Sequence, residues 1–242
     1  MTKKIKDGFQ INYNENGDKK SEGNYKNNEK DGKWIKWNER GNKISETVYK
    51  KGKKDGQYTE YWNPSSGGKY RNDKKYGKWK EISGGGGVRY IEEGKYKDGL
   101  RDGIWTISRF SHIGPFRYVE EGEYKKGLKD GKWIQWYDKD KKIKKEETLF
   151  RNGKENGEYK EWYESGYDKT QGNYKNGLRE GVWFEWYLIE YDERLDEMKK
   201  GWENTGYIEG KKRLETKYID GKKIGDSVEH DEGDQTVYEP DY

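Results

Sequence analysis

Outside residues 188–200, the apolar positions of this chain show neither helical spacing nor long unbroken runs. They are mostly aromatic and stand in pairs on either side of a short polar stretch rich in glycine. The stretch EGNYKNNEKDGKWIKW (residues 22–37) returns as EGEYKKGLKDGKWIQW (121–136) and as QGNYKNGLREGVWFEW (171–186). With the second glycine of each copy as register mark, the series runs Gly8, Gly32, Gly56, Gly77, Gly103, Gly131, Gly157, Gly181 and a degenerate Gly225. The intervals are 24, 24, 21, 26, 28, 26, 24 and 44 residues. A period near 24 with loop-sized scatter is what stacked supersecondary units produce, and the last interval marks one damaged unit.

Seven residues before the mark stands a ring: Tyr25, Tyr49, Tyr70, Tyr96, Tyr124, Phe150, Tyr174 or Tyr218. Two residues after it stands another: Trp34, Tyr58, Trp79, Trp105, Trp133, Tyr159 or Trp183. The Gly, Asn and Asp residues between them, as in Lys51-Gly52-Lys53-Lys54-Asp55-Gly56, supply left-handed backbone and turns, so each unit reads as a β-hairpin. A hairpin alone is marginal in water, and the units must therefore lie side by side. The pattern predicts an all-β fold, an elongated single-layer antiparallel sheet of roughly eight or nine tandem hairpins.

Strand alternation sorts the rings by face. The ring two past the mark shares a face with those six past it, Trp62, Tyr137, Tyr163 and Tyr187. The opposite face receives the ring five past it, Tyr13, Trp37, Tyr61, Trp136, Trp162 and Trp186, unless a bulge intervenes. The first row, with Tyr25, Trp34, Tyr49, Tyr58, Trp79, Tyr96, Trp105, Tyr124, Trp133, Tyr159, Tyr174 and Trp183, is the expected structural layer. Aromatic pairs across strands add roughly 0.5–1.5 kcal/mol each beyond area burial. The second row, Trp37, Tyr61, Trp136, Trp162 and Trp186, lies among Lys and Glu in the manner of interface anchors and is the candidate partner-binding face. Coverage of that row by sheet curvature or by inter-repeat loops is the alternative.

Composition sharpens this picture. Hydrophobic residues make up 28% of the chain, aromatic residues 16%, with 11 Trp and 22 Tyr against 5 Phe. The core must be thin and built from amphipathic rings. Charged residues reach 40%, but 51 Lys and Arg nearly balance 47 Asp and Glu, for a net charge of +4. That balance, with periodic rings, argues against disorder. Cysteine is absent, which excludes disulfides and thiolate chemistry. No signal-peptide or membrane-spanning apolar run is visible, so a cytoplasmic location is expected.

Residues able to carry chemistry are few. His112 and His230 stand far apart without metal partners at ligand spacing. Asp31, Asp55, Asp102 and Asp130 precede glycine where a turn favours Asp, and their expected role is turn formation. Asp138-Lys139-Asp140 starts like a calcium loop but lacks its later glycine and glutamate. Ser83-Gly84-Gly85-Gly86-Gly87 lacks the Lys-Ser/Thr of a phosphate loop and reads as a flexible insertion. The expectation is no catalytic residue, no metal, no cofactor and no enzymatic activity. Leu188, Tyr191, Leu195 and Met198 stand at helical spacing, so 188–200 reads either as one short helix or as a degenerate repeat. The organisation read from the chain is 1–187 as hairpin repeats, 188–213 as an irregular insertion or degenerate repeat, and 214–242 as a last degenerate repeat with an acidic cap.

The unit Tyr-x-x-Gly-x-x-Asp/Glu-Gly-x-Trp resembles the MORN repeat, in particular the bacterial variant often attached to antitoxin components of toxin–antitoxin pairs. The resemblance runs from about Asp7 to Tyr187, with a weaker unit from Leu214 to Asp231. Gln10 replaces the ring of the first unit, Asn28 and Asp73 replace the first turn glycine, and Ser227 replaces the last Trp. The resemblance implies an elongated hairpin sheet used for protein scaffolding, dimerisation and in some members lipid binding, hence an interaction module with an antitoxin or immunity role. The expected partner is another protein, such as a toxin or effector. Nucleic acid, through lysines interleaved with rings, and a membrane or cell surface are the alternatives.

Overall fold

The computed structural model describes residues 7–61, 65–111, 117–138, 140–188 and 211–230. These form seventeen antiparallel β-strands and no helix. A lead strand β1 (Gly8–Tyr13) precedes β2 (Lys19–Lys26), β3 (Glu29–Trp37), β4 (Lys43–Lys50), β5 (Lys53–Glu60), β6 (Ser66–Arg71), β7 (Lys74–Gly85), β8 (Val88–Lys97) and β9 (Leu100–Ser111). Then follow β10 (Arg117–Lys125), β11 (Leu128–Trp136), β12 (Lys144–Arg151), β13 (Lys154–Trp162), β14 (Asp168–Lys175), β15 (Leu178–Trp186), β16 (Lys212–Ile219) and β17 (Lys222–Glu229). The chain divides into two compact units, residues 1–116 with 124–127, and residues 117–123 with 128–242. Each is an open single layer in which strands adjacent in sequence pair with one another. The segment with helical spacing lies, beyond Leu188, outside the described residues, as do Trp62 and His112.

Every one of the eight hairpins after β1 turns on two residues that both have positive φ, from Asn27 (51°) and Asn28 (67°) to Asp220 (47°) and Gly221 (78°). This is the type I′ turn, whose twist matches that of the strands. The register-mark glycine is not part of it. Gly32 sits inside β3, where three residues, Gly32 to Trp34, oppose the single Gly23 between the pairs Asn24↔Asp31 and Glu22↔Ile35. The mark is therefore a bulge glycine, with φ of 76°.

This corrects the reading of the acids before it as makers of their own turn. Asp31 and Asp130 lie in strands and accept instead from the turn of the next hairpin, Asp31 Oδ1 from the Lys51 amide (3.4 Å) and Asp130 Oδ2 from the Asn152 amide (3.3 Å). Glu180 does the same for the Asp220 amide at 2.9 Å. Beside these contacts, the second turn residue donates to a main-chain carbonyl of the preceding hairpin, as Gly52 does to Lys30 (2.9 Å) and Gly153 to Lys129 (2.8 Å).

The glycine run 83–87 is not an insertion standing free of the sheet. Ser83, Gly84 and Gly85 pair with Tyr90, Arg89 and Val88, and Gly86 and Gly87 form another turn of two positive-φ residues. Glycine–glycine is a favoured I′ sequence, so the run extends a hairpin.

The core of each unit is built on a row of rings. Trp34, Trp79, Trp105, Trp133 and Trp183 are 0–5% exposed. Trp34, Trp79, Trp105 and Trp183 each meet a tyrosine of their own hairpin edge-on, as Trp34 does Tyr25 (5.0 Å, 80°), and Trp105 meets Tyr124 of the next strand at 6.0 Å. Burying a tryptophan contributes about 5 kcal/mol in area terms before entropy is counted. Each indole also donates to the carbonyl freed by the bulge, Trp34 Nε1 to Asn24 O and Trp105 Nε1 to Lys95 O, both at 3.0 Å.

What lies beneath each ring is fixed by size. A Cβ added at Gly23, Gly68, Gly94, Gly122 or Gly172 would stand 2.3–2.4 Å from the Trp of its own hairpin. Where the ring is Tyr58 or Tyr159, the same position holds Thr47 or Thr148, both buried. Where it is Ser227, Thr216 stands there and shares a 2.8 Å hydrogen bond with it. Gly goes with Trp and Thr with a smaller partner in every unit, a size match internal to one sequence.

Candidate functional site

The opposite face carries the second ring row. Along β3 the pairs Trp34↔Thr47 and Ile35↔Glu46 alternate regularly, and the register shift falls between Lys36 and Trp37 because β4 has an extra residue, Ile44. Trp37 thus stays on the face away from Trp34. The same shift precedes Trp136, Trp162 and Trp186. Tyr61 is 39% exposed, Trp37, Trp136 and Trp162 are half-buried, and Trp186 is 6% exposed. Trp37 and Tyr61 belong to the first unit, Trp136, Trp162 and Trp186 to the second. The row is interrupted: Ile82 and Ser108 occupy the equivalent positions in the two longest hairpins.

Lysines link these rings. Lys43 pairs with Trp37 in the sheet and holds its ammonium 5.4 Å from the Tyr61 ring; Lys144 pairs with Trp136 and lies 5.6 Å from the Trp162 ring. Lys19 stands 4.9 Å over Trp37. Each also meets a glutamate three residues on: Lys19–Glu22 at 2.9 Å, Lys43–Glu46 at 2.6 Å and Lys144–Glu147 at 2.8 Å. Glu46 takes Lys33 as a second partner at 2.6 Å, and hydrogen bonds from Lys33 and Lys43 hold its carboxyl down at about 2. The face is a lattice of rings, ammonium groups and carboxylates, half open to solvent. The Trp136 indole N–H is buried without an acceptor among the described residues.

The structural row has a cation ladder of its own. The residue two before the mark lies over its own ring and reaches the next tyrosine: Lys30 over Trp34 (4.2 Å) and Tyr49 (5.2 Å), Arg101 over Trp105 (4.2 Å) and Tyr124 (5.4 Å), Arg179 over Trp183 (4.1 Å) and Tyr218 (5.3 Å). Arg101 is also ion-paired to Glu81 and Glu92, and Glu81 accepts from the Tyr96 hydroxyl at 2.9 Å. Sequence reading assigned these cations no role, although a basic residue stands two before every mark except Gly157.

Tyr137, Tyr163 and Tyr187 prove to be staples between repeats. Their hydroxyls donate to the carbonyls of Trp162 (2.9 Å), Trp186 (2.9 Å) and His230 (3.1 Å). Asp138 binds the Lys142 and Ile143 amides, closing a loop. Among the described residues, no group of three or more His, Cys, Asp or Glu is arranged to hold a metal ion. No helix among them is long and apolar enough to cross a membrane. Compared with family models and with curated proteins, the chain matches none.

Proposed function

We propose that the chain is a non-enzymatic protein-binding scaffold, an inhibitor of antitoxin or immunity type that covers the working surface of a partner protein through the face bearing Trp37, Tyr61, Trp136, Trp162 and Trp186. The observation that carries this reading is the lattice itself: the Trp37 and Tyr61 rings of the first unit and the Trp162 ring of the second each have a lysine over them that is ion-paired to a glutamate. Large rings rimmed by paired charges are the composition of interface hot spots. Five carboxylates have other work, Asp31, Asp130 and Glu180 as acceptors of turn amides and Glu46 and Glu147 as partners of lysines. The resemblance of the motif to MORN repeats points the same way.

The test is affinity capture with the full chain from a bacterial lysate, followed by a measured Kd for the recovered protein. Trp37→Ala with Trp162→Ala should weaken that Kd by on the order of 2 kcal/mol or more per ring while the far-ultraviolet spectrum stays β-type. Recovery of no protein by the folded chain, or equal affinity in the double variant, contradicts the assignment.

A further inference from the structure

The face opposite the tryptophan row changes character in the middle of the first unit. On β6 it carries Gly67, which pairs with Thr59 on one side and Lys80 on the other. No side chain can fill that position: a Cβ there would stand 2.2 Å from the Tyr58 carbonyl oxygen. A depression of about 900 Å³ lies at this position, floored by Gly67 and Gly68. Its walls include Lys69, Lys78, Lys80, Lys95, Glu93 and Ile104.

The charges around it are unbalanced. Lys80 has Glu93 at 3.2 Å. Lys69, Lys78 and Lys95 are exposed and form no ion pair among the described residues. Lys78 and Lys95 face each other directly across β7 and β8, an arrangement of like charges that costs stability unless an anion lies between them. The surroundings reinforce the imbalance. The first unit has 28 Lys and Arg against 16 Asp and Glu, and the second 23 against 31, so a net charge of +4 conceals two halves of opposite sign. A concave site of one sign within a unit of that sign focuses the field on an incoming anion.

We infer that this groove receives an acidic segment of the partner protein, an extended stretch with carboxylates on alternate residues. The inference rests on the protein-binding reading. Alternate side chains of an extended strand recur on one face every ~6.8 Å, and cross-strand and diagonal neighbours in a sheet lie about 5 to 8 Å apart, so a row of carboxylates matches the lysines in spacing. Ammonium groups meet single carboxylates as point charges. A nucleic acid fits less well. Stacking faces contribute much of the affinity for single strands, and the tyrosine lining this groove, Tyr76, already has the Arg71 guanidinium over its ring at 4.1 Å.

A fluorescent peptide of about ten residues alternating Glu and Ser, titrated into the full chain by anisotropy, tests the assignment. It should bind in a salt-dependent manner, while the Gln-for-Glu peptide does not. Lys69→Gln, Lys78→Gln and Lys95→Gln together should weaken binding about tenfold or more, whereas Lys26→Gln, Lys50→Gln and Lys125→Gln, the same charge change elsewhere in the first unit, should change it less than about twofold. Equal losses in the two triple variants would reduce the effect to bulk charge and overturn the proposal. Failure of the Glu peptide to bind, or tighter binding by single-stranded RNA of equal charge that the groove variant abolishes, would overturn it too. If a captured partner is held equally well by the groove variant yet lost on substituting Trp37 and Trp162, the groove assignment fails and the scaffold reading stands.

Discussion

A tryptophan in this chain is tolerated because the residue beneath it has no side chain. The pairings Gly122 with Trp133 and Thr148 with Tyr159 are two solutions to one volume constraint. Gly122→Ala should therefore destabilise by about 1–3 kcal/mol in urea unfolding, the usual cost of overpacking. Gly122→Thr combined with Trp133→Tyr should recover much of the loss of Gly122→Thr alone, since it copies the neighbouring unit. A purely additive double variant would show that the ring and the glycine are not coupled.

Titration adds a second prediction at this scale. Burial, reinforced by Glu60, pushes the Tyr58 hydroxyl up to about 12, and burial does the same for Tyr96 beside Glu81. The folded state disfavours the phenolate, so this stability is intact below the ordinary value of 10.0 and is lost as pH rises from there toward 12. Glu46 works in the opposite sense: its contribution is intact above 4.5 and is lost as pH falls toward about 2. Stability measured across pH should fall toward both extremes, with rising pH in the alkaline window and with falling pH in the acid one, and Glu46→Gln should flatten the acid limb. The spacing of the rings made this row legible from sequence, because strand periodicity sorts residues by face. The Gly/Trp and Thr/Tyr pairing was equally present but mute, since nothing in a one-dimensional pattern says that the indole crosses the glycine two residues before the tyrosine.

Hairpins were legible as elements because type I′ turns demand residues that tolerate left-handed backbone, and Asn-Gly, Lys-Gly and Asp-Gly recur where the turns fall. The division of labour between the two glycines was not. A bulge glycine and a turn glycine both have positive φ, and only the strand register separates them. For the same reason the acid of the Asp-Gly pair looked like a turn former, whereas it secures the turn of its neighbour. Asp130→Ala should cost about 0.5–1.5 kcal/mol and speed amide exchange at Asn152, in the following hairpin, more than at its own turn. Gly153→Ala should cost about 1–2 kcal/mol, because φ there is 82° and Leu128 already lies 3.3 Å from where the Cβ would stand. Unchanged exchange at Asn152 in Asp130→Ala would contradict the clamp between hairpins.

At the scale of the whole molecule, the second ring row was legible in the sequence while the groups around it were not. The candidate row was read from alternation, and the structure keeps Trp37 on the face away from Trp34 despite a bulge, because the extra residue belongs to the partner strand. The lysines that link those rings could not be anticipated, since they come from strands whose pairing had first to be known. The polarity of charge between the units was hidden by a net charge summed over the full chain. On the proposed protein-binding reading, it predicts electrostatically steered association, with an on-rate that falls steeply as salt rises while dissociation changes little.

The fold rests on tandem hairpins closed by type I′ turns and packed through buried rings. Amide hydrogen exchange on the full chain tests this directly. Slow exchange should recur with the repeat, centred on the strands holding Trp34, Trp79, Trp105, Trp133 and Trp183, with fast minima at residues such as Asn27 and Lys126, the first of each turn pair. One uniform protected block, or protection that crosses those turns without a minimum, would contradict it.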